Sequence, residues 1–120
     1  MQVTNKPTAL VVEDDPDQRE LVCALLEECD MAVIECETAE SAEVVLERVG
    51  AGLSMIFTDV NLAGEMSGTE LAELAKERFP DVTVIVTSGN HAPSLPAGAM
   101  FMAKPWRALD ILREAERSLH

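Results

Sequence analysis

Asp59 closes a short apolar run, Met55-Ile56-Phe57-Thr58, and a turn-forming segment with Gly64, Ser67 and Gly68 follows it. On that stretch alone a carboxylate reads equally well as a solvated turn residue or as a reactive group at a strand end. Three other stretches shift the balance. Glu13 and Asp14 follow Thr8-Ala9-Leu10-Val11-Val12, Thr87 follows Val82-Thr83-Val84-Ile85-Val86, and Lys104 follows Ala99-Met100-Phe101-Met102-Ala103. Carboxylates brought together repel one another and call for a cation between them. A hard dication with oxygen ligands, most simply Mg²⁺, would neutralise them and bridge to a phosphoryl oxygen. A metal-polarised phosphoryl group can be attacked by a carboxylate, giving an acyl phosphate on Asp59. Lys104 would then supply positive charge and the Thr87 hydroxyl a hydrogen bond. Each feature alone has an ordinary explanation: a helix cap, a β-former, a surface Lys-Pro turn. Their conjunction at four of five strand ends carries the weight.

The elements that must position these groups alternate between strand and helix. Strands are expected at residues 8–12, 31–36, 55–61, 82–86 and 99–103, each a short run with β-formers. The first helix is expected over 16–29, with Asp15 as N-cap, Pro16 at its first position, and Leu21, Val22, Leu25, Leu26 and Cys29 at helical spacing. Thr38 caps a second helix with Leu46 and Val49 on its inner face, stopped by Gly50 and Gly52. A third runs over 69–79 and ends at Pro80; the last runs from Trp106 or Arg107 to about Leu119. Apolar strands without polar alternation, interleaved with helices, call for a parallel sheet covered on both faces. Between strands four and five the rhythm breaks. Pro93 and Pro96 stand three residues apart and leave no room for a regular helix, so a loop or single turn is expected there.

Composition narrows the function classes. One hundred and twenty residues suit one domain, with a core over about 8–119. Twenty-two acidic against nine basic residues give a net charge of −13, which phosphate backbones repel, so direct nucleic-acid binding is not expected. Apolar runs fall short of a bilayer span, and the start lacks a secretory h-region; no membrane association and a cytoplasmic location are expected. Cys23, Cys29 and Cys36 lie in no CxxC spacing and read as reduced core residues. His91 and His120 carry little weight. Trp106 reads as a packing anchor for the last helix, and Met66 is expected at the surface of the Gly-rich loop.

With these pieces in place the chain resembles the receiver domain of two-component response regulators. The resemblance covers Ala9 to Leu119 and rests on Val11-Val12-Glu13-Asp14-Asp15-Pro16, Thr58-Asp59-Val60-Asn61-Leu62, Val86-Thr87-Ser88-Gly89 and Ala103-Lys104-Pro105-Trp106. It implies an α/β, doubly wound five-stranded parallel sheet in the flavodoxin-like order 2-1-3-4-5. It also implies that Asp59 accepts a phosphoryl group from a phosphohistidine on a histidine kinase or histidine phosphotransfer protein. Asp14 then resembles the direct Mg²⁺ ligand, Glu13 a second acid acting through water, and Asn61 the residue whose main-chain carbonyl completes the shell. Thr87 resembles the switch hydroxyl, Lys104 its ion-pair partner, and Phe101 the aromatic switch position. Such a protein is a signalling phosphoacceptor, not a turnover enzyme.

Four departures qualify the resemblance. Glu13 stands where Asp is commoner. The loop from Asp59 to Gly68 is one residue longer than usual, with Ala63 where Pro is common. Phe101 lacks a tyrosine hydroxyl. The fourth helix, part of the usual output face, is missing or reduced to a turn. The alternative is a phosphate-independent docking domain of the same fold. A haloacid-dehalogenase-like phosphatase would want an acid where Asn61 stands, and a flavodoxin would want amides and hydroxyls where the first loop carries acids.

Overall fold

The computed structural model describes residues 6–90 and 92–119. His91 and His120 lie outside the described residues. Five strands form one sheet: β1 (Thr8–Val12), β2 (Ala32–Cys36), β3 (Leu53–Asp59), β4 (Thr83–Ser88) and β5 (Ala99–Ala103). All pairings are parallel, in the order β2-β1-β3-β4-β5. Four α-helices occur among the described residues: α1 (Pro16–Glu28), α2 (Ala39–Val49), α3 (Gly68–Arg78) and α4 (Ala108–Ser118).

The helices begin where capping chemistry places them. Asp15 accepts from the Asp17 amide ahead of α1, and Thr38 from the Ser41 amide ahead of α2. At α3 the Ser67 hydroxyl accepts from the Glu70 amide while the Glu70 carboxylate accepts from the Ser67 amide. That reciprocal capping box starts the helix at Gly68, one residue before the expected Thr69. The third strand runs from Leu53 to Asp59 rather than over 55–61, so Asp59 is its last residue.

The sheet buries both faces, in two separate cores. Leu10, Val12, Ile56, Val84 and Val86 pack with Leu46 of α2 and Leu71 of α3. Ala9, Val11, Met55, Phe57 and Ile85 pack with Val22 and Leu26 of α1 and Ile111 of α4. Alternation along each strand assigns successive residues to opposite cores. Two residues expected on inner helical faces lie outward: Leu21 is 50% exposed and Val49 45%.

Described residues between β4 and β5 carry no helix, only a turn at Ala97–Gly98, as Pro93 and Pro96 dictate. Two side chains partly cover the gap. Leu95 packs onto the α2/α3 core, and the Lys76 stem lies under Gly98, which holds φ +87°. The Lys76 ammonium donates to the carbonyls of Pro80 and Val82 at 2.7 and 2.8 Å.

Candidate functional site

Strand register assembles the site. Val12 pairs with Thr58, Asp59 with Thr87, and Thr87 with Met102, so the C-terminal ends of β1, β3, β4 and β5 lie side by side. Beyond the strand ends the backbone keeps its pairing. The Glu13 amide donates to the Cys36 carbonyl at 3.1 Å, Val60 to Thr87 at 2.9 Å, and Lys104 to Ser88 at 2.9 Å. This is the end of an open α/β sheet where ligands bind.

The Lys104 ammonium lies 2.7 Å from Asp59 Oδ2 and 3.4 Å from Glu13 Oε1. Both carboxylates are buried. Burial and the neighbouring charge of Asp59 raise the Glu13 pKa to about 7; Lys104 opposes the rise, and contact with Asp14 adds to it. Burial works against the charge on Lys104, but the bonds and charges of Asp59 and Glu13 outweigh it and hold its pKa above the ordinary value. One ammonium faces more carboxylate than it can neutralise.

The remaining sequence-predicted residues fall as follows. Asp14 is exposed beside Glu13. Asn61 is exposed, and its amide donates to Asp59 Oδ1 at 3.3 Å. Thr87 is buried next to Asp59, and its Oγ1 has no hydrogen-bond partner. Phe101 is half-buried and packs into neither core among the described residues. Trp106 anchors α4 as expected, its ring edge-on to Phe57 with centroids 6.2 Å apart. Met66 corrects its expected surface position: it is half-buried and packs onto the α2/α3 core.

The donor set suits a hard dication. No three His, Cys, Asp or Glu side chains converge in metal-holding geometry among the described residues. The expected shell asks for less, because it includes a main-chain carbonyl and a water-bridged acid. The uncompensated acids and the raised Glu13 pKa are what such a cation would relieve.

Sequence reading missed three groups. Arg19 Nη1 donates to the Glu13 carbonyl at 2.8 Å while its Nε meets Glu35 Oε1 at 3.3 Å, tying the first acidic loop to the end of β2. Glu40 accepts from two amides of the loop after Asp59. Gly68 packs so closely that a Cβ there would sit 1.8 Å from the Asp59 carbonyl oxygen. Only Gly68 left a signal, as the glycine ending a turn-rich segment.

Comparison with known proteins agrees with this geometry. The response regulator receiver domain family matches residues 9–114. The chain is 31% identical over 116 residues to the response regulator receiver protein CpdR of Brucella abortus (strain 2308), covering 92% of this chain and 94% of that one. Against the nitrogen assimilation regulatory protein NtrX of Azorhizobium caulinodans it is 31% identical over 118 residues, 92% of this chain but 25% of that one. Its backbone resembles the crystal structure of a CheY-like receiver domain protein from Methanospirillum hungatei JF-1, with TM-score 0.84, 27% identity, and coverage of 95% and 94%. It also resembles the receiver domain of the hybrid histidine kinase CckA, with TM-score 0.81, 23% identity, and coverage of 94% and 99%. Parallel order, strand-end acids and matched length converge, and the chain belongs to the response regulator receiver domain family.

Proposed function

We propose that this receiver domain takes a phosphoryl group from a phosphohistidine onto Asp59 and changes conformation in response. The donor is a histidine kinase or a histidine phosphotransfer protein, and the setting is the cytoplasm. The supporting observation is the Thr87 hydroxyl, buried without a partner beside the Asp59–Lys104 pair. A buried hydroxyl left unpaired is costly, and a phosphoryl oxygen on Asp59 would satisfy it.

In the transfer a carboxylate oxygen of Asp59 attacks phosphorus. The P–N bond to the donor imidazole breaks, and its electron pair stays on the ring nitrogen. Lys104 keeps a positive charge at the developing phosphoryl oxygens, and Thr87 orients one of them. Asp14, Asp59 and the Asn61 carbonyl would hold Mg²⁺, with Glu13 acting through water. When bound, the ion polarises the phosphoryl group and neutralises the acids. New contacts from phosphoaspartate to Thr87 and Lys104 then favour a second conformation.

Intact-mass spectrometry after incubation with acetyl phosphate and MgCl₂ tests the reading. The wild type should gain one phosphoryl group, and Asp59→Asn or added EDTA should abolish the gain. A wild type that binds no Mg²⁺ and takes no phosphate from either acetyl phosphate or a phosphorylated histidine kinase would overturn it.

A further inference from the structure

We infer that Glu40 is a positioning residue that fixes the loop after Asp59 and, through it, the main-chain carbonyl of Asn61. The inference rests on the phosphoacceptor reading and adds a residue far from Asp59 in sequence.

Glu40 lies in the first turn of α2, on an exposed face. Its Oε2 accepts from the amides of Glu65 and Met66, at 2.9 and 3.1 Å, across 25 and 26 residues of chain. Gly64, just before them, holds φ +96°, which a side chain rarely adopts, and a Cβ there would meet Glu40 Oε1 at 2.7 Å. Successive amides behind such a residue form an anion-binding concavity. A carboxylate of the same chain fills it. The Glu65 amide first, then its own amide and that of Met66, hold the Glu40 pKa below its ordinary value. A second tie lies beside it, where Thr38, the N-cap of α2, bridges to Ala63.

The other end of the loop is equally fixed. Val60 donates to the Thr87 carbonyl, and Gly68 donates to the Val60 carbonyl, each at 2.9 Å. Asn61 and Leu62 are therefore strung between Val60, tied to β4, and Ala63–Met66, tied to the start of α2. Glu40 touches neither Asp59 nor Lys104 in any hydrogen bond among the described residues, so its contact with the site runs through the loop.

The test uses the full chain and MgCl₂ titrated by calorimetry, with hydrogen exchange followed at residues 60–67. In Glu40→Ala the Glu65 and Met66 amides should exchange faster and Mg²⁺ should bind about tenfold more weakly, the lower end of what losing a ligand's support costs. Glu40→Gln, whose amide oxygen can still accept both bonds, should restore most of the affinity. If the wild type binds Mg²⁺ and Glu40→Ala binds it equally, the positioning role fails while the phosphoacceptor reading stands. Equal weakening in the Ala and Gln variants would assign the effect to charge and overturn positioning. A wild type that binds no Mg²⁺ would overturn the positioning role, and the phosphoacceptor reading falls with it only if the chain also takes no phosphate.

Discussion

Glu13 is where burial and charge act most strongly on one side chain. Its pKa rises from an ordinary 4.5 to about 7, first through burial and then through Asp59. The folded chain thus holds this proton more tightly than the unfolded chain. The stabilisation is fully present below about pH 4.5 and is lost as pH rises through about 7. In metal-free buffer the melting temperature should carry a falling component across that window, and Glu13→Gln should remove it; thermal melts at pH 5, 6, 7 and 8 check this. Thr87 gives the complementary case. Valine nearly matches its shape and removes the unpaired hydroxyl, so Thr87→Val should stabilise the unphosphorylated protein by about 1 kcal/mol in urea unfolding. Trp106, two residues after Lys104, should change its fluorescence when acetyl phosphate is added to the wild type, and this variant should lose that change. Glu13, Asp59, Thr87 and Lys104 were legible in sequence because each ends an apolar run. Arg19 and Glu40 were not: Arg19 meets the Glu13 carbonyl and the Glu35 carboxylate, and Glu40 two loop amides, partners that only the fold brings near.

Among the elements, the junction of β3 and α3 is the tightest. Gly68 starts α3 against the Asp59 carbonyl, and a Cβ would also come within 2.9 Å of Thr58 Oγ1. Backbone cannot yield as a flexible side chain does, so Gly68→Ala must move the helix or Asp59 itself. Strain of that kind costs about 1–3 kcal/mol or more. Urea unfolding should register that loss, and phosphorylation by acetyl phosphate should slow along with it; unchanged phosphorylation would mean that the helix moves and Asp59 does not. Alternation of strands and helices was readable from apolar runs, and the absent helix from Pro93 and Pro96. Boundaries were harder. The Ser67-x-x-Glu70 capping signal was present in the sequence but overshadowed by Gly64 before it and Gly68 within it, which moved the expected start of α3 by a residue. Leu21 and Val49 fit helical spacing, yet spacing alone does not say how wide a stripe the sheet covers.

At the scale of the whole molecule, charge opposes compactness. A net charge of −13 on 120 residues repels itself, and the strand-end acids concentrate part of it. Raising NaCl from 20 to about 150 mM shortens the screening length to about 8 Å and should raise the melting temperature. MgCl₂ at equal ionic strength should raise it further in the wild type, and less in Asp59→Asn.

β5 ends the sheet as an edge strand, with no helix between β4 and it among the described residues; its Met100 and Met102 face the α1/α4 core, while Phe101 and Ala103 join neither core there. Its end is pinned by the Lys104 amide to Ser88 and by the Lys104 ammonium to Asp59 and Glu13. The same ammonium that would serve the proposed chemistry also fastens a strand with no fully buried residue. A ligand that competed for that ammonium would loosen this end of the sheet margin, so occupancy of the site should be readable as faster hydrogen exchange in β5.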